Sequence, residues 1–410
     1  MMNILIPNAT SKRNIGDLAA LESLVHLLRK NFSQDAFITI HSYEPNAHDP
    51  TLANRINHTL YDWVAFADTR VFVRIFRLIS LIIHYFTNRL NVAILKRGKL
   101  QELIDDYKNA DLIVFVGGGY LRPKKGVLPS INLLMLLSLF EFAKLFPAKK
   151  IVCPMSFGPF AYEWQERIAV KALRGLDVVS VRESPSYDLL NKKYGLDNVF
   201  LSCDFALLIN GLHRVKHVNK SPILGFTIRR WFDGKKQDDF ERSFAEAIIQ
   251  FVKAFCVQVQ PIIQVDGQSR MEFDEIVTEK IAAHLKKDGI SVLPTIKVTS
   301  VKQGLMGYAE LDILLGMRMH SNILAAVVGT PFVAVSYEYK TEGIAEQLGV
   351  SQYVIKSEDV DENKLFGLLL SAYKNKDALS TVLSNSIKDI KNNEIPKWDT
   401  IFSKAAPMNI

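Results

Sequence analysis

Short apolar runs that end abruptly in glycine or polar residues recur along this chain, with helical stretches between them, and this alternation constrains the fold most. Asn3 to Ile6 reads as a strand followed by a polar loop, and Asp17 then opens a helix whose Leu18, Leu21, Leu24, Val25 and Leu28 repeat at helical spacing. Asp111 to Val116 reads as a buried strand running into Gly117-Gly118-Gly119, Ile151 to Met155 as another and Val178 to Val181 as a third. Helical stretches lie between them, at Ser130 to Phe146 and Glu163 to Arg174. Strands without polar alternation, separated by helices, imply a parallel sheet covered on both faces.

A basic, polar segment from Asn210 to Ser221 interrupts the pattern, and a new series starts at Ile223-Leu224-Gly225-Phe226-Thr227-Ile228. Leu311 to Leu315 runs into Gly316-Met317-Arg318, and Pro331 to Val335 runs into Ser336-Tyr337, echoing the first half in order and character. The expected fold class is α/β with two Rossmann-like, doubly wound domains: residues 1–210, a linker at 211–221, residues 222–350, and a charged helical tail over 351–410. A length of 410 residues agrees with two domains.

With 48% apolar residues and no fixed-period repeat, the chain can bury a large core, which excludes disorder and coiled coil as the main architecture. Met1 to Pro7 lacks a basic leader, and no apolar stretch reaches the ~20 residues of a membrane span, so a cytoplasmic protein is expected, with the inner face of the plasma membrane as an alternative station. Cys153, Cys203 and Cys256 form no C-x-x-C pair and read as core thiols, and no metal site is expected. The net charge of +7 suits anionic small molecules or phospholipid; basic residues scattered among acids, without stacking aromatics, argue against nucleic acid.

Ligands of open α/β sheets bind beyond the carboxyl ends of the strands. There the sequence places Asn14-Ile15-Gly16-Asp17, where a helix start offers backbone N–H groups, although Asp17 also reads as an N-cap. Gly117-Gly118-Gly119 either lets a ligand approach the backbone or makes a tight turn. Arg182 ends a strand before Ser184-Pro185, read as a Ser N-cap with Pro at the first helical position, so its guanidinium is expected to emerge at the ligand edge. Arg229 and Arg230 stand likewise, and each arginine fits either an anion site or a salt bridge. The densest group is Gly316-Met317-Arg318-Met319-His320-Ser321 with Ser336-Tyr337-Glu338-Tyr339-Lys340. Of nine histidines, His320 alone follows an apolar strand and precedes a helix of small residues, Asn322 to Val328, which fits acid/base work on an anionic substrate.

Asn14-x-Gly16-Asp17, the glycine triplet, Ser180-Val181-Arg182-Glu183-x-x-Ser186, Cys203-Asp204-Phe205-Ala206, Gly316-x-Arg318-x-His320-Ser321 and Ser336-Tyr337-x-x-Lys340 stand in the order seen in polysaccharide pyruvyl transferases, and over roughly residues 3 to 350 the chain resembles that family. Glu183 and Glu338 stand where Asp is usual, and Tyr339 where Pro is common. The resemblance implies a glycosyltransferase-B-like arrangement with the acceptor on the first domain and the donor on the second. It also implies phosphoenolpyruvate as donor, a sugar of a cell-surface glycan as acceptor, and no metal or cofactor. Arg182, His320 and Lys340 match the family's donor-binding positions, with Arg229 and Arg318 as further cations. His320 is then the expected general acid, Asp17 or Asp204 the base, and Asn14, Gly16, Gly117, Gly118, Gly119, Ser336 and Tyr337 the substrate contacts.

Two rival functions remain at this level. Glu338 and Glu346 stand in the E-x7-E spacing of some retaining glycosyltransferases, which favours a sugar-nucleotide donor, and a catalytically silent glycan-binding or assembly protein would share the fold. In Arg70 to Leu90, Arg70, Arg74 and Arg77 form a basic stripe beside apolar bulk, which fits either a buried helix or an oligomer contact, or else peripheral membrane contact. A lipid-linked acceptor would make such contact useful.

Overall fold

A computed structural model of the chain describes residues 2–9, 14–32, 36–60, 99–123, 125–211, 221–265 and 274–405. The segment Arg70 to Leu90 and most of the expected linker lie outside the described residues. The chain divides into two compact units, one of Met1–Ser11, Ala20–Phe205 and Glu394–Ile410, the other of Lys12–Ala19 and Ala206–Asn393.

The first unit is built on a seven-stranded sheet. Its strands are β1 (Asn3–Ala9), β2 (Phe37–Ser42), β3 (Arg55–His58), β4 (Leu112–Phe115), β5 (Lys149–Met155), β6 (Val178–Val181) and β7 (Val199–Leu201). They pair in the order β3-β2-β1-β4-β5-β6-β7, every pair parallel. Leu112, Ile113, Val114 and Phe115 of central β4 are all buried, because helices cover both faces of the sheet and leave no position for a polar side chain. The helix Ile15–Phe32 begins two residues before Asp17. Asn14 is its cap: Asn14 Oδ1 accepts the Gly16 N–H at 3.2 Å, and Asn14 Nδ2 donates to Asp17 Oδ2 at 2.9 Å, which moves the expected capping role from Asp17 to Asn14.

The second unit repeats the plan with β8 (Ile223–Thr227), β9 (Gln258–Ile263), β10 (Ile296–Lys297), β11 (Ile313–Gly316), β12 (Phe332–Ser336) and β13 (Val354–Lys356). Their order is β10-β9-β8-β11-β12-β13, again all parallel. In both sheets the chain runs outward from the first strand to one side and then returns to the other. The order therefore reverses between β1 and β4 and between β8 and β11, the switch points where open α/β sheets leave a crevice.

The division differs from the expected one in the tail. The helix Glu362–Lys374 packs on the helix Gly234–Phe255 as part of the second unit, whereas the end of the helix Lys376–Ala405 belongs to the first. Trp398 anchors that end, fully buried with its ring 4.8 Å from Phe205 and 5.3 Å from Phe200, and with Nε1 donating to Ser202 Oγ at 3.0 Å. The cysteine reading also needs correction. Cys153 and Cys203 are buried and burial pushes both thiols up, but Cys256 is exposed. It takes the left-handed position, φ 52°, that ends the helix Gly234–Phe255, where the chain turns outward.

Candidate active site

The carboxyl ends of β8, β11 and β12, three neighbouring strands at the switch point of the second unit, carry Arg229, Arg318 with His320, and Tyr337 with Lys340. These short strands run without polar interruption up to residues that the next helix start holds in place. After β11, Thr227 Oγ1 meets Ser321 Oγ at 2.8 Å, and Ser321 Oγ donates to the Arg318 carbonyl at 2.6 Å, which sets the first turn of the helix Met319–Val327. After β12, Ser336 Oγ lies 3.0 Å from the Glu338 carbonyl oxygen and 3.2 Å from Glu342 Oε1, so Ser336 shapes the turn into the helix Tyr339–Gln347.

The cations of this group differ in what balances them. Arg318 is clasped by buried Asp274, its Nε donating to Oδ1 at 3.0 Å and to Oδ2 at 3.1 Å. Burial works against the charge of Arg318, but Asp274 and Tyr337 outweigh it and hold the guanidinium above its ordinary value; burial pushes the Asp274 carboxyl up against the pull of Arg318. Lys340 Nζ pairs with Glu338 at 2.7 Å. The charge of Arg229 also pulls on the Asp274 carboxyl, with no salt bridge to a carboxylate among the described residues. Its guanidinium lies 4.9 Å from the Tyr337 ring centre and 5.6 Å from that of Trp231, with Nη1 3.3 Å from the Tyr337 hydroxyl. Burial alone would raise the Tyr337 phenol, yet Lys340, Arg318 and Arg229 together draw it below its usual value. Arg229, Arg318 and Lys340 thus gather three cations at these strand ends, with Asp274 paired to Arg318 and Glu338 to Lys340.

His320 is half-buried in the first turn of its helix, and Gly16 lies against it. A Cβ at position 16 would stand 1.9 Å from His320 Cγ and 2.1 Å from Nδ1, so only glycine leaves room for this imidazole. Gly16 lies in the first turn of the helix Ile15–Phe32, whose start belongs to the second unit, with Asn14 bridged to Val265 just after β9. Asn14, Gly16 and Asp17 thus join the His320 group, as the sequence order alone could not indicate.

The first unit holds the remaining expected residues, arranged differently. Arg182 is only 4% exposed and does not emerge at a ligand edge. Its Nη1 donates to Asp204 at 2.5 Å, its Nε donates to Ser156 Oγ at 3.0 Å, and Glu183 stands 3.5 Å away. Asp204, 1% exposed, is therefore committed to an ion pair in the core, which removes the ground for reading it as a base. Glu183, rather than Ser184, precedes the short helix Ser184–Tyr187, and its Oε1 accepts from Ser186 Oγ at 2.8 Å. These bonds tie together the ends of β5, β6 and β7. Gly117 is required for packing, since a Cβ there would meet the Pro154 carbonyl oxygen at 2.0 Å; Gly118 is buried and Gly119 exposed. At the adjacent switch point Asn8 Nδ2 donates to the Val116 carbonyl at 3.1 Å, and the Val116 N–H donates to Asn8 Oδ1 at 2.8 Å.

Sequence reasoning missed Asp274, which opens an acidic helix start, and Trp231, which directly follows the Arg229-Arg230 pair. Neither type is unusual in its place, and only contact reveals the role. The E-x7-E pair separates: Glu338 is at the site with Lys340, while Glu346 is exposed near the far end of the helix Tyr339–Gln347.

The chain is similar to several known proteins. Amylovoran biosynthesis protein AmsJ of Erwinia amylovora is 25% identical over 273 residues, which span 62% of this chain and 63% of that relative. Among solved structures, UDP-GlcNAc 2-epimerase from Neisseria meningitidis bound to UDP-GlcNAc is similar with a TM-score of 0.58 and 12% identity, over 98% of this chain and 100% of that one. Anabaena HepE in complex with UDP-glucose is similar with a TM-score of 0.55 and 13% identity, over 99% of this chain and 100% of that one. At these identities the likeness shows the fold alone, the expected α/β class of two Rossmann-like domains. Residues 14–339, from the Asn14 loop to the start of the Lys340 helix, match the family model described as polysaccharide pyruvyl transferase, and the chain belongs to that family.

Proposed function

We propose that this protein transfers the pyruvyl group of phosphoenolpyruvate to two hydroxyls of a polysaccharide sugar, forming a ketal. The reading is carried by the convergence of Arg229, Arg318, His320, Tyr337 and Lys340 on three neighbouring strand ends. Phosphoenolpyruvate bears a carboxylate and a phosphate on one small enol, and such a dense anion needs several cations. Arg229 is available to it, and Lys340 becomes available by exchanging Glu338 for the ligand. Arg318, held by Asp274, positions the turn that carries His320. The role of AmsJ in amylovoran biosynthesis supports a polysaccharide acceptor.

His320 delivers a proton to the methylene carbon, and the first hydroxyl bonds to the central carbon as its own proton passes to a base, for which Asp17 beside Asn14 is the candidate. The bond from that carbon to the phosphate oxygen then breaks. The second hydroxyl takes the vacated position; of the two hydroxyl protons released, one restores His320 and the other leaves on inorganic phosphate. Arg182 and Asp204, buried against each other, hold the strand ends of the first unit and take no part in proton transfer.

The test supplies phosphoenolpyruvate, UDP-glucose or UDP-GlcNAc with a panel of acceptor glycans. Release of phosphate with an acid-labile pyruvyl group on the glycan is the expected result. Consumption of a nucleotide sugar instead would establish the rival donor, and consumption of none a silent binding protein.

A further inference from the structure

The helix Val127–Ala143 follows the sequence Arg122-Pro123-Lys124-Lys125 and carries no charge from Val127 to Phe140. One face packs in the core through Leu133, Leu136, Leu137 and Phe140. The other is apolar as well and open to solvent. Val127 is 75% and Leu128 73% exposed, and Ile131 and Leu134 continue the same face at helical spacing. Scattered exposed leucines are ordinary, but four large apolar side chains on one helix face form a patch that water does not explain.

We propose that this helix docks the protein on an anionic lipid bilayer, lying in the plane of the interface. The rim of the patch selects that partner. Lys125, exposed, and Arg122 stand before the helix start. The acids of the adjoining segments each have a basic partner, Glu163 with Arg167 at 2.7 Å, Glu141 with Lys144 at 3.1 Å and Glu166 with Lys193 at 2.5 Å, which leaves exposed Lys125 as the excess positive charge of the rim. Beside it lies the helix Glu163–Leu173, whose Gln165 Nε2 donates to Ser130 Oγ at 2.9 Å and so joins the starts of the two helices. There Trp164 is exposed and stacks on Tyr162 with ring centres 6.3 Å apart. An apolar centre with amphipathic aromatics and cations at its edge matches the headgroup boundary of a membrane. The uncharged stretch from Val127 to Phe140 falls short of a bilayer span, and no described helix is long and apolar enough to cross one. The inference is independent of the donor chemistry.

Co-sedimentation with vesicles of phosphatidylcholine alone, and of phosphatidylcholine with phosphatidylglycerol, tests it. The full chain should partition onto the anionic vesicles and little onto the neutral ones. Leu128→Glu/Leu134→Glu should lower partitioning by about a hundredfold, since each leucine contributes at least about tenfold when buried in lipid. Lys125→Glu, outside the helix, should lower it about fivefold or more and tests the proposal even where the double variant melts early. Transfer to a water-soluble acceptor should be unchanged by either. Wild type that stays in the supernatant, equal partitioning of all three proteins, or light scattering that finds a dimer lost in the double variant without vesicle binding by wild type would each overturn it.

Discussion

A methyl group at position 16 would overlap the imidazole of His320, so the placement of this imidazole depends on a glycine far away in sequence. Gly16→Ala is expected to push His320 from its rotamer and to lower kcat at least tenfold, with a stability loss of ~1–3 kcal/mol from overpacking. His320→Ala should cost ~10²–10⁴ in rate with the fold intact, as general acids do; more than a tenth of wild-type activity would remove it from the mechanism. Two arginines that read alike in sequence separate by environment. Arg229→Ala should weaken phosphoenolpyruvate binding roughly ten- to hundredfold in calorimetry, through loss of one charge-assisted contact. Arg182→Ala should instead lower stability by ~3–5 kcal/mol in denaturant titration, because it leaves Asp204 and Glu183 buried without their cation. If Arg182→Ala melts normally and binds the donor poorly, the assignments of the two arginines are reversed.

At the scale of elements, the buried parallel strands β1, β4, β5, β6, β8, β11 and β12 were legible because a strand covered on both faces must be continuously apolar. Strands β2 and β3 were not, because they carry polar groups that only their neighbours satisfy. His41 of β2 is wholly buried; its Nε2 lies 2.9 Å from Asp106 of the helix Lys99–Asn109, a carboxylate that also pairs with Arg55 and accepts from Asn57 Nδ2 at 3.2 Å, both on β3. Burial, reinforced by Arg55, pushes the imidazole down from 6.5 to about 3. Between those values the unfolded chain binds a proton that the folded chain refuses, so stability is full above pH 6.5 and falls as the pH drops toward 3. Thermal melts across this window should show the slope, and His41→Gln should flatten it; an unchanged slope would mean that other groups dominate acid unfolding.

For the whole molecule, the last helix completes a unit whose preceding segment ends at Phe205, almost two hundred residues earlier, since Trp398 fills a pocket of Phe200, Phe205 and Phe402. Trp398→Ala should destabilise the first unit by ~3–5 kcal/mol, read as a lowered urea midpoint, and a small change would show that the C-terminal segment is dispensable to it. The alternation of apolar strands and helices by itself determined the doubly wound class, the repetition of that class in two halves, and the residues that end each strand, because period and composition are local properties and parallel sheets leave few alternatives. The tertiary structure alone decided which of those strand-end residues share a site. It withdrew Arg182 and Asp204 into the core, clasped Arg318 with a carboxylate, set Arg229 against aromatic rings and placed Gly16 against His320. The physical reason is that the value of a charge depends on what stands within a few ångströms of it, and in this chain those neighbours come from strands and loops tens to hundreds of residues apart.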